Sequence, residues 1–370
     1  VNEIRGGSLQ TIHSTALEAR NAFVDVVTTS KLFHLDGTVS IDDRETGLTY
    51  TKPTRGAHRQ LASRAGVPQA FYERIRDSFP DVWQHTMSEL TPESPALFRC
   101  IRSHIPSEGA TLRAVLSDKY QVIDNVDVIS TVLQAFIDAG LDTNTVEING
   151  DFDADAGRLR LRCTVESVGI HARELVSTYR SPFDGRTGQE LPMIFAGIEF
   201  ANSETGNGAY TVFPRAVLQV CRNGMTRDIG DEIFRRVHLG ARLEQGVVQW
   251  SDETRHKQLE LIASAAKDAI TTFISPEYLA RIVDEASQAR GIQVKAPDKV
   301  ITAMTKQFNL SDDEASNILT HFIRSSDTSV LGLGQAVTAA AQLCEDGDRQ
   351  SELECAFWQI VGQAEQFTGA

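Results

Sequence analysis

The segment GRLRLRCTVES, residues 157 to 167, alternates without a break. Leu159, Leu161, Cys163 and Val165 fall on one side and Arg158, Arg160 and Arg162 on the other, as a period of two requires. Such a strand buries one face against a core, so the chain must build a sheet with one apolar side and one side striped with arginine. Apolar runs that fit further strands lie nearby: TLRAVLS at 111 to 117 and MIFAGIEF at 193 to 200. The run through Tyr210 and Phe213 either continues as strand to Cys221 or turns helical at Pro214, with Gly224 as its stop.

Helical spacing frames this sheet. In DKYQVIDNVDVISTVLQAFIDAG, Asp124 or Asn125 is placed to cap a helix whose apolar Val128, Ile129, Val132, Leu133 and Phe136 recur at three and four, and Gly140 ends it. A further helix is expected around DIGDEIFRRVH, residues 228 to 238. Beyond residue 250 the chain reads as helical throughout, from DETRHKQLELIASAAKDAITTFI to RQSELECAFWQIVGQ. Upstream, a helix through Ala57 to Ala65 meets Gly66-Val67-Pro68 and a second helix follows. The pair is either a plain helical hairpin or a helix-turn-helix whose second helix would offer Gln69, Tyr72, Glu73 and Arg76 to a groove. The expected class is α+β: a central antiparallel sheet flanked by helices, with an N-terminal helical hairpin and an all-helical C-terminal region. Three regions follow, at 1–80, 81–245 and 246–370.

Charge separates the middle region from the rest. Between Arg158 and Arg242 stand 12 arginines and no lysine against 9 acids, a local excess of +3 within a chain of net charge -14. Guanidinium is a rigid donor fork suited to phosphate and able to stack on bases, whereas an ammonium is a mobile point charge. The same arginines are equally suited to local ion pairs. The N-terminal stretch shows no basic segment leading into an apolar one, and no window approaches the roughly 18 apolar residues of a membrane span, so a cytoplasmic protein without a membrane partner is expected. The 5 cysteines are scattered and odd in number, which suggests structural thiols.

Motifs for catalysis are missing from the sequence. DFDADAG, with Asp151, Asp153 and Asp155, begins like a calcium loop, but Ala156 stands where glycine belongs and Arg162 where the bidentate glutamate belongs. It reads instead as a polar hairpin tip. No Walker loop, GxSxG elbow or HExxH is present. No catalytic residue, metal or cofactor is expected, although Asp118, Asp124 and Asp127 would serve an enzyme if the fold made them converge.

A binding surface is the stronger expectation. The loop STYRSPFDGRTGQE interleaves Tyr179, Arg180, Phe183 and Arg186, the aromatic faces and guanidiniums that a single-strand groove combines. Tyr179 and Phe183 would equally serve to anchor the loop on the core. Arg158, Arg160 and Arg162 extend this surface, with Arg215, Arg222, Arg235 and Arg236 beyond them. In FANSETGNGAY, Gly206 and Gly208 supply turn conformations, and Asn202, Ser203 and Glu204 are assigned to side-chain hydrogen bonds that shape the loop beneath the arginine surface or hold a neighbouring subunit.

The words RQLASRAGVPQAFYERI, LRAVLSDKYQVIDNVDV, GIEFANSETGNGAYTVFPRAVLQVCRNGM and FRRVHLGA, in that order, resemble the phage- and plasmid-related family called domain of unknown function 932. The resemblance runs from about residue 55 to 245, and LGLGQAVTAAAQLCEDGDRQSELE is similar to the family's helical tail. It implies a mobile-element context and a shared fold, not a chemistry. Strands followed by a helix, with a basic strand surface, are more remotely similar to the Red-beta-like annealing proteins of recombination, which form rings or helices on single strands without ATP or metal. The expected function is single-stranded DNA binding and strand annealing by a homo-oligomer, the alternatives being a mobile-element regulator, a protein-interaction module or an unrecognised enzyme.

Overall fold

The computed structural model describes residues 3–29, 32–41, 51–103, 109–118, 120, 122–177, 185–219, 224–226, 235–236, 251–325, 327–344 and 347–368. The chain begins β1 (Glu3–Ser8), α1 (Leu9–Asn21), β2 (Phe23–Thr28), β3 (Leu32–Phe33), β4 (Val39–Ser40) and β5 (Thr51–Pro53). Three helices follow, α2 (Arg55–Arg64), α3 (Gln69–Ser78) and α4 (Pro80–Leu90), then β6 (Ala96–Arg102), β7 (Ala110–Ser117) and α5 (Asn125–Asp138). Next come β8 (Val146–Asp153), β9 (Arg158–His171), the short α6 (Arg173–Val176), β10 (Met193–Ser203), β11 (Tyr210–Leu218), β12 (Gly224–Thr226) and β13 (Arg235–Arg236). The remainder is helical: α7 (Asp252–Phe273), α8 (Pro276–Gln288), α9 (Pro297–Gln307), α10 (Asp312–Ser325), α11 (Val330–Ala341) and α12 (Gly347–Gly362).

These strands form two sheets, where one central sheet is expected from the sequence. The first has the order β1-β8-β9-β10-β11-β12, with β13 also on β11, and its pairings are antiparallel. The second has the order β2-β6-β7-β5-β4-β3, antiparallel except for β5 beside β7. Its strands β3, β4 and β5 are two or three residues long, too short to show the alternation by which a strand is read from sequence. Chain order and spatial order part company at the start: β1 pairs with β8, opposing Glu3 to Asp153 and Ser8 to Asn149, while β2 pairs with β6.

The apolar side of β9 lies where its alternation demands. Leu159, Leu161, Cys163 and Val165 are buried in one cluster with Val132 and Phe136 of α5 and Ile262 and Ala266 of α7. Phe136 meets Phe200 of β10 edge to face, ring centres 6.3 Å apart, a favoured aromatic geometry. The second sheet is covered on one face by α2, α3 and α4, whose Leu61, Tyr72, Trp83 and Met87 join Phe33, Phe98 and Leu112 in a separate core.

Two local readings are settled by sheet pairing. From Tyr210 the chain continues as strand through Pro214, which lies opposite Ile198. On its outer side β11 pairs at 210–211 with β13 and at 215–217 with β12, so Pro214, which has no N–H to give, falls in the interval. Arg235 and Arg236, expected within a helix, pair as strand with Thr211 and Tyr210, because an open sheet edge offers the backbone partners that local helical spacing cannot outbid. The rest of that expected helix lies outside the described residues. No helix among the described residues is long and apolar enough to cross a membrane.

Candidate functional site

The hairpin tip between β10 and β11 inserts into the seam between the two sheets. Glu204 is buried, and its carboxylate receives Arg113 Nη2 at 2.5 Å and the backbone N–H of Asn125, the first residue of α5, at 2.7 Å. Asp124, one of the two expected caps, occupies the N-cap position of α5 but makes no capping bond with its side chain. It is drawn away to Arg99 Nη2, at 3.1 Å, and to Arg20, at 3.7 Å. Arg99 also holds Asp25 and the carbonyl of Glu204, both at 3.0 Å. Asn202 donates to the carbonyl of Ile123 at 2.9 Å and to Asn125 Oδ1 at 2.8 Å. Ser203 Oγ shares a hydrogen bond with Thr205 Oγ1, and Gln60 of α2 donates to the carbonyl of Thr205 at 2.7 Å. Gly206, at φ +74, adopts a turn conformation that a side chain resists, and Gly208 follows it in the tip.

Behind this tip the arginine side of β9 is largely enclosed. Glu199 of β10, fully buried, receives Arg160 at 3.2 Å, Arg215 of β11 at 3.1 Å and Arg162 at 3.5 Å. Burial alone would push the Glu199 carboxyl up, but the guanidiniums of Arg160, Arg215 and Arg162 outweigh it and hold it below the usual carboxylate range. Arg162 also meets Asp151 of β8 at 2.9 Å. Helix α12 closes the network from above: Glu354 pairs with Arg215 at 2.9 Å, Ser351 donates to Glu199 at 3.0 Å, and Gln350 faces Arg162 at 3.5 Å. Cys163 lies on the opposite face, its thiol pushed up by burial.

At the outer end of the row the face opens into a cleft of about 1030 Å³ between β1, β8, β9, the hairpin tip, the end of α9 and α12. Arg5, Arg158, Arg160 and Arg349 line it together with Phe213 and Phe308, the latter stacked on one side against Phe367 with ring centres 6.4 Å apart. Glu3, Asp151, Asp153 and Glu352 line it as well. Arg158 is 42% exposed and lies 3.9 Å from Asp153. Arg349 is a clamp: it holds Glu314 at 2.7 Å, Glu352 at 2.9 Å and the carbonyls of Phe308 and Asn309 at 3.1 Å, which fixes the loop after α9 as one wall.

The structure thus gathers Arg158 and Arg160 at the cleft, Arg162 and Arg215 in the enclosed network beside them, and Asn202, Ser203 and Gly208 on the cleft wall. Glu204 faces away from the cleft into the seam. Arg186 is exposed in the segment before β10 and does not line the cleft. Tyr179, Arg180, Phe183 and Arg222 lie outside the described residues, and Arg235 and Arg236 are placed by backbone in β13. In the helical pair near Gly66, Tyr72 is buried with its hydroxyl 2.7 Å from His58 Nδ1, so it is withdrawn from the expected reading face. Gln69 is bonded to Glu73 and Arg76 to Asp77. Asp124 and Asp127 converge on Arg20, in ion pairs rather than around a vacant centre. No group of three or more potential metal-ligating side chains occurs among the described residues. The DFDADAG segment is the end of β8 and the β8–β9 turn, where Asp153 accepts the N–H of Ala156 at 2.8 Å.

Sequence reasoning missed Arg5, Phe213, Phe308 and Arg349 at the cleft, and Glu199, Glu354, Arg99 and Arg113 in the two networks. A signal exists for part of this set. A single charge inside an apolar strand run, Glu199 in MIFAGIEF, Arg99 in ALFRCI and Arg113 in TLRAVLS, marks a buried ion that must find its partner elsewhere. No protein-family model, curated protein or solved structure matches the chain.

Proposed function

We propose that this protein binds single-stranded DNA in the cleft beside the arginine row of β9 and promotes strand annealing without ATP. One observation carries the reading: Arg5, Arg158 and Arg160 line the cleft beside the half-buried Phe213 and Phe308, with Arg5 paired to Glu3, Arg160 paired to Glu199 and Arg158 the most exposed of the β9 row. Phosphates take the guanidiniums and bases stack on the rings, each stack being worth about 1–3 kcal/mol. Stacking on the rings requires unpaired bases, which favours a single strand over a duplex. The resemblance to phage- and plasmid-related proteins supplies the recombination context, and annealing by a homo-oligomer follows from the Red-beta-like likeness.

The test is fluorescence anisotropy of a labelled single strand and its duplex at several salt concentrations, with wild type and Arg158→Glu. Preference for the single strand is expected, and the charge reversal should lower the slope of log K against log salt by about 0.7 for the one lost phosphate contact. Absence of binding at low salt, or equal binding of the duplex, overturns the reading.

A second reading, a protein-interaction module, draws on the exposed Phe71, Phe79, Val82 and Leu90 on and between α3 and α4. If that surface carries the function, Phe71→Ser with Phe79→Ser abolishes partner capture and leaves DNA binding untouched.

A further inference from the structure

We infer that α12 is a displaceable acidic cover on the arginine row, which a bound single strand lifts to reach Arg162 and Arg215. The inference rests on the cleft being the nucleic-acid site. Helix periodicity divides α12 into two sides. Leu353, Phe357 and Ile360 are buried in the helical core, with Phe357 packed closely against Gly334 of α11. Gln350, Ser351 and Glu354 turn toward the sheet, and their polar bonds to Arg162, Glu199 and Arg215 bind the helix to this part of it. A buried ionic seam contributes little net stability compared with an apolar one, because desolvation of the charges offsets most of their attraction.

Donors and acceptors in the seam are imperfectly matched. The Nε atoms of Arg162 and Arg215 are buried without a hydrogen-bond partner among the described residues, as is Asp151 Oδ2, and Arg162 Nε has only an ion pair with Glu199 at 3.5 Å. Phosphodiester oxygens would accept from these two Nε donors and take the place of the Glu354 carboxylate on Arg215. Access is direct: Ser351, Glu352, Cys355 and Gln359 of α12 form the cleft wall, and the row passes from Arg158 in the cleft to Arg160 and Arg162 along one face of one strand, about 6.7 Å per step. Occupied by its own carboxylate the row is closed, and occupied by a strand it is open.

Hydrogen–deuterium exchange of the full chain, with and without an oligothymidylate, reads the cover directly. Exchange across residues 347–362 should quicken on binding while β9 and β10 become more protected. Glu354→Gln, which keeps the shape and removes the competing charge, should bind the oligonucleotide about fivefold more tightly, at the low end of coupling between linked sites. Binding with α12 unchanged or more protected, or a Glu354→Gln protein that binds no better, overturns the cover and leaves the cleft reading standing. No binding by either protein overturns the cleft reading, and the cover with it.

Discussion

The backbone N–H of Asn125 donates to Glu204 Oε1 at 2.7 Å, so a hairpin tip 79 residues downstream caps the first turn of α5. The same carboxylate neutralises Arg113, which is buried on the second sheet with its guanidinium 4.0 Å from the ring centre of Phe23. One side chain therefore joins both sheets and a helix terminus. Glu204→Ala leaves a buried guanidinium unpaired and should cost about 3–5 kcal/mol, read as a lower urea midpoint. Glu204→Gln keeps an acceptor for Asn125 and should cost less. Equal stability of the alanine variant and wild type would remove the tip from its joining role.

Gly157 stands at φ +64 in the β8–β9 turn, and a Cβ there would lie 2.6 Å from Thr205 Cγ2 and 2.9 Å from Arg113 Nη2. Gly157→Ala combines left-handed strain with overpacking and should destabilise by about 2–4 kcal/mol. Thermal unfolding measures it, and Gly37→Ala, also at positive φ but with open space around it, isolates the strain component.

Arg160 and Arg162 are partners of a buried carboxylate, so reversing both charges places two further acids against Glu199. Arg160→Glu with Arg162→Glu should unfold the protein or cost more than about 5 kcal/mol, visible in circular dichroism before any binding is measured. Arg158→Glu, at the exposed end of the row, should change stability by less than about 1 kcal/mol. A folded double variant would show that the network is dispensable.

His58 is held down to about 4, first by burial and then by the Arg76 guanidinium. Tyr72, pushed up to about 12 by burial, keeps the proton of the hydroxyl it sets against the ring. Because the folded value lies below the unfolded one near 6.5, the His58 contribution to stability is full above about pH 6.5 and is lost as pH falls toward 4. The loss approaches about 3 kcal/mol at 1.36 kcal/mol per unit. Unfolding free energies of wild type and His58→Gln between pH 7 and 4 should converge on acidification by that amount, and parallel curves would refute it.

Local patterns were enough for β9, β10, α5 and the C-terminal helices, because a period of two or of 3.6 is written in neighbouring residues and each element only had to lay its apolar side on a core. The arginine side of β9 was legible as a face and illegible as a surface. Whether Arg162 meets solvent, phosphate or Gln350 depends on a helix that arrives 188 residues later in the chain. The same limit explains β1 on β8, the short strands of the second sheet and the strand at Arg235–Arg236, whose partners are backbone groups supplied by distant segments.

By itself, then, the sequence determined which stretches are helix and strand where periodicity runs long, and which side of each must be buried. Tertiary structure alone decided where the charges went. Burying apolar side chains needs only a nonpolar neighbour of roughly the right size, which many arrangements supply. Burying Glu199, Glu204, Arg99 or Arg113 needs a specific opposite charge within hydrogen-bonding reach, and only the closed fold brings one there.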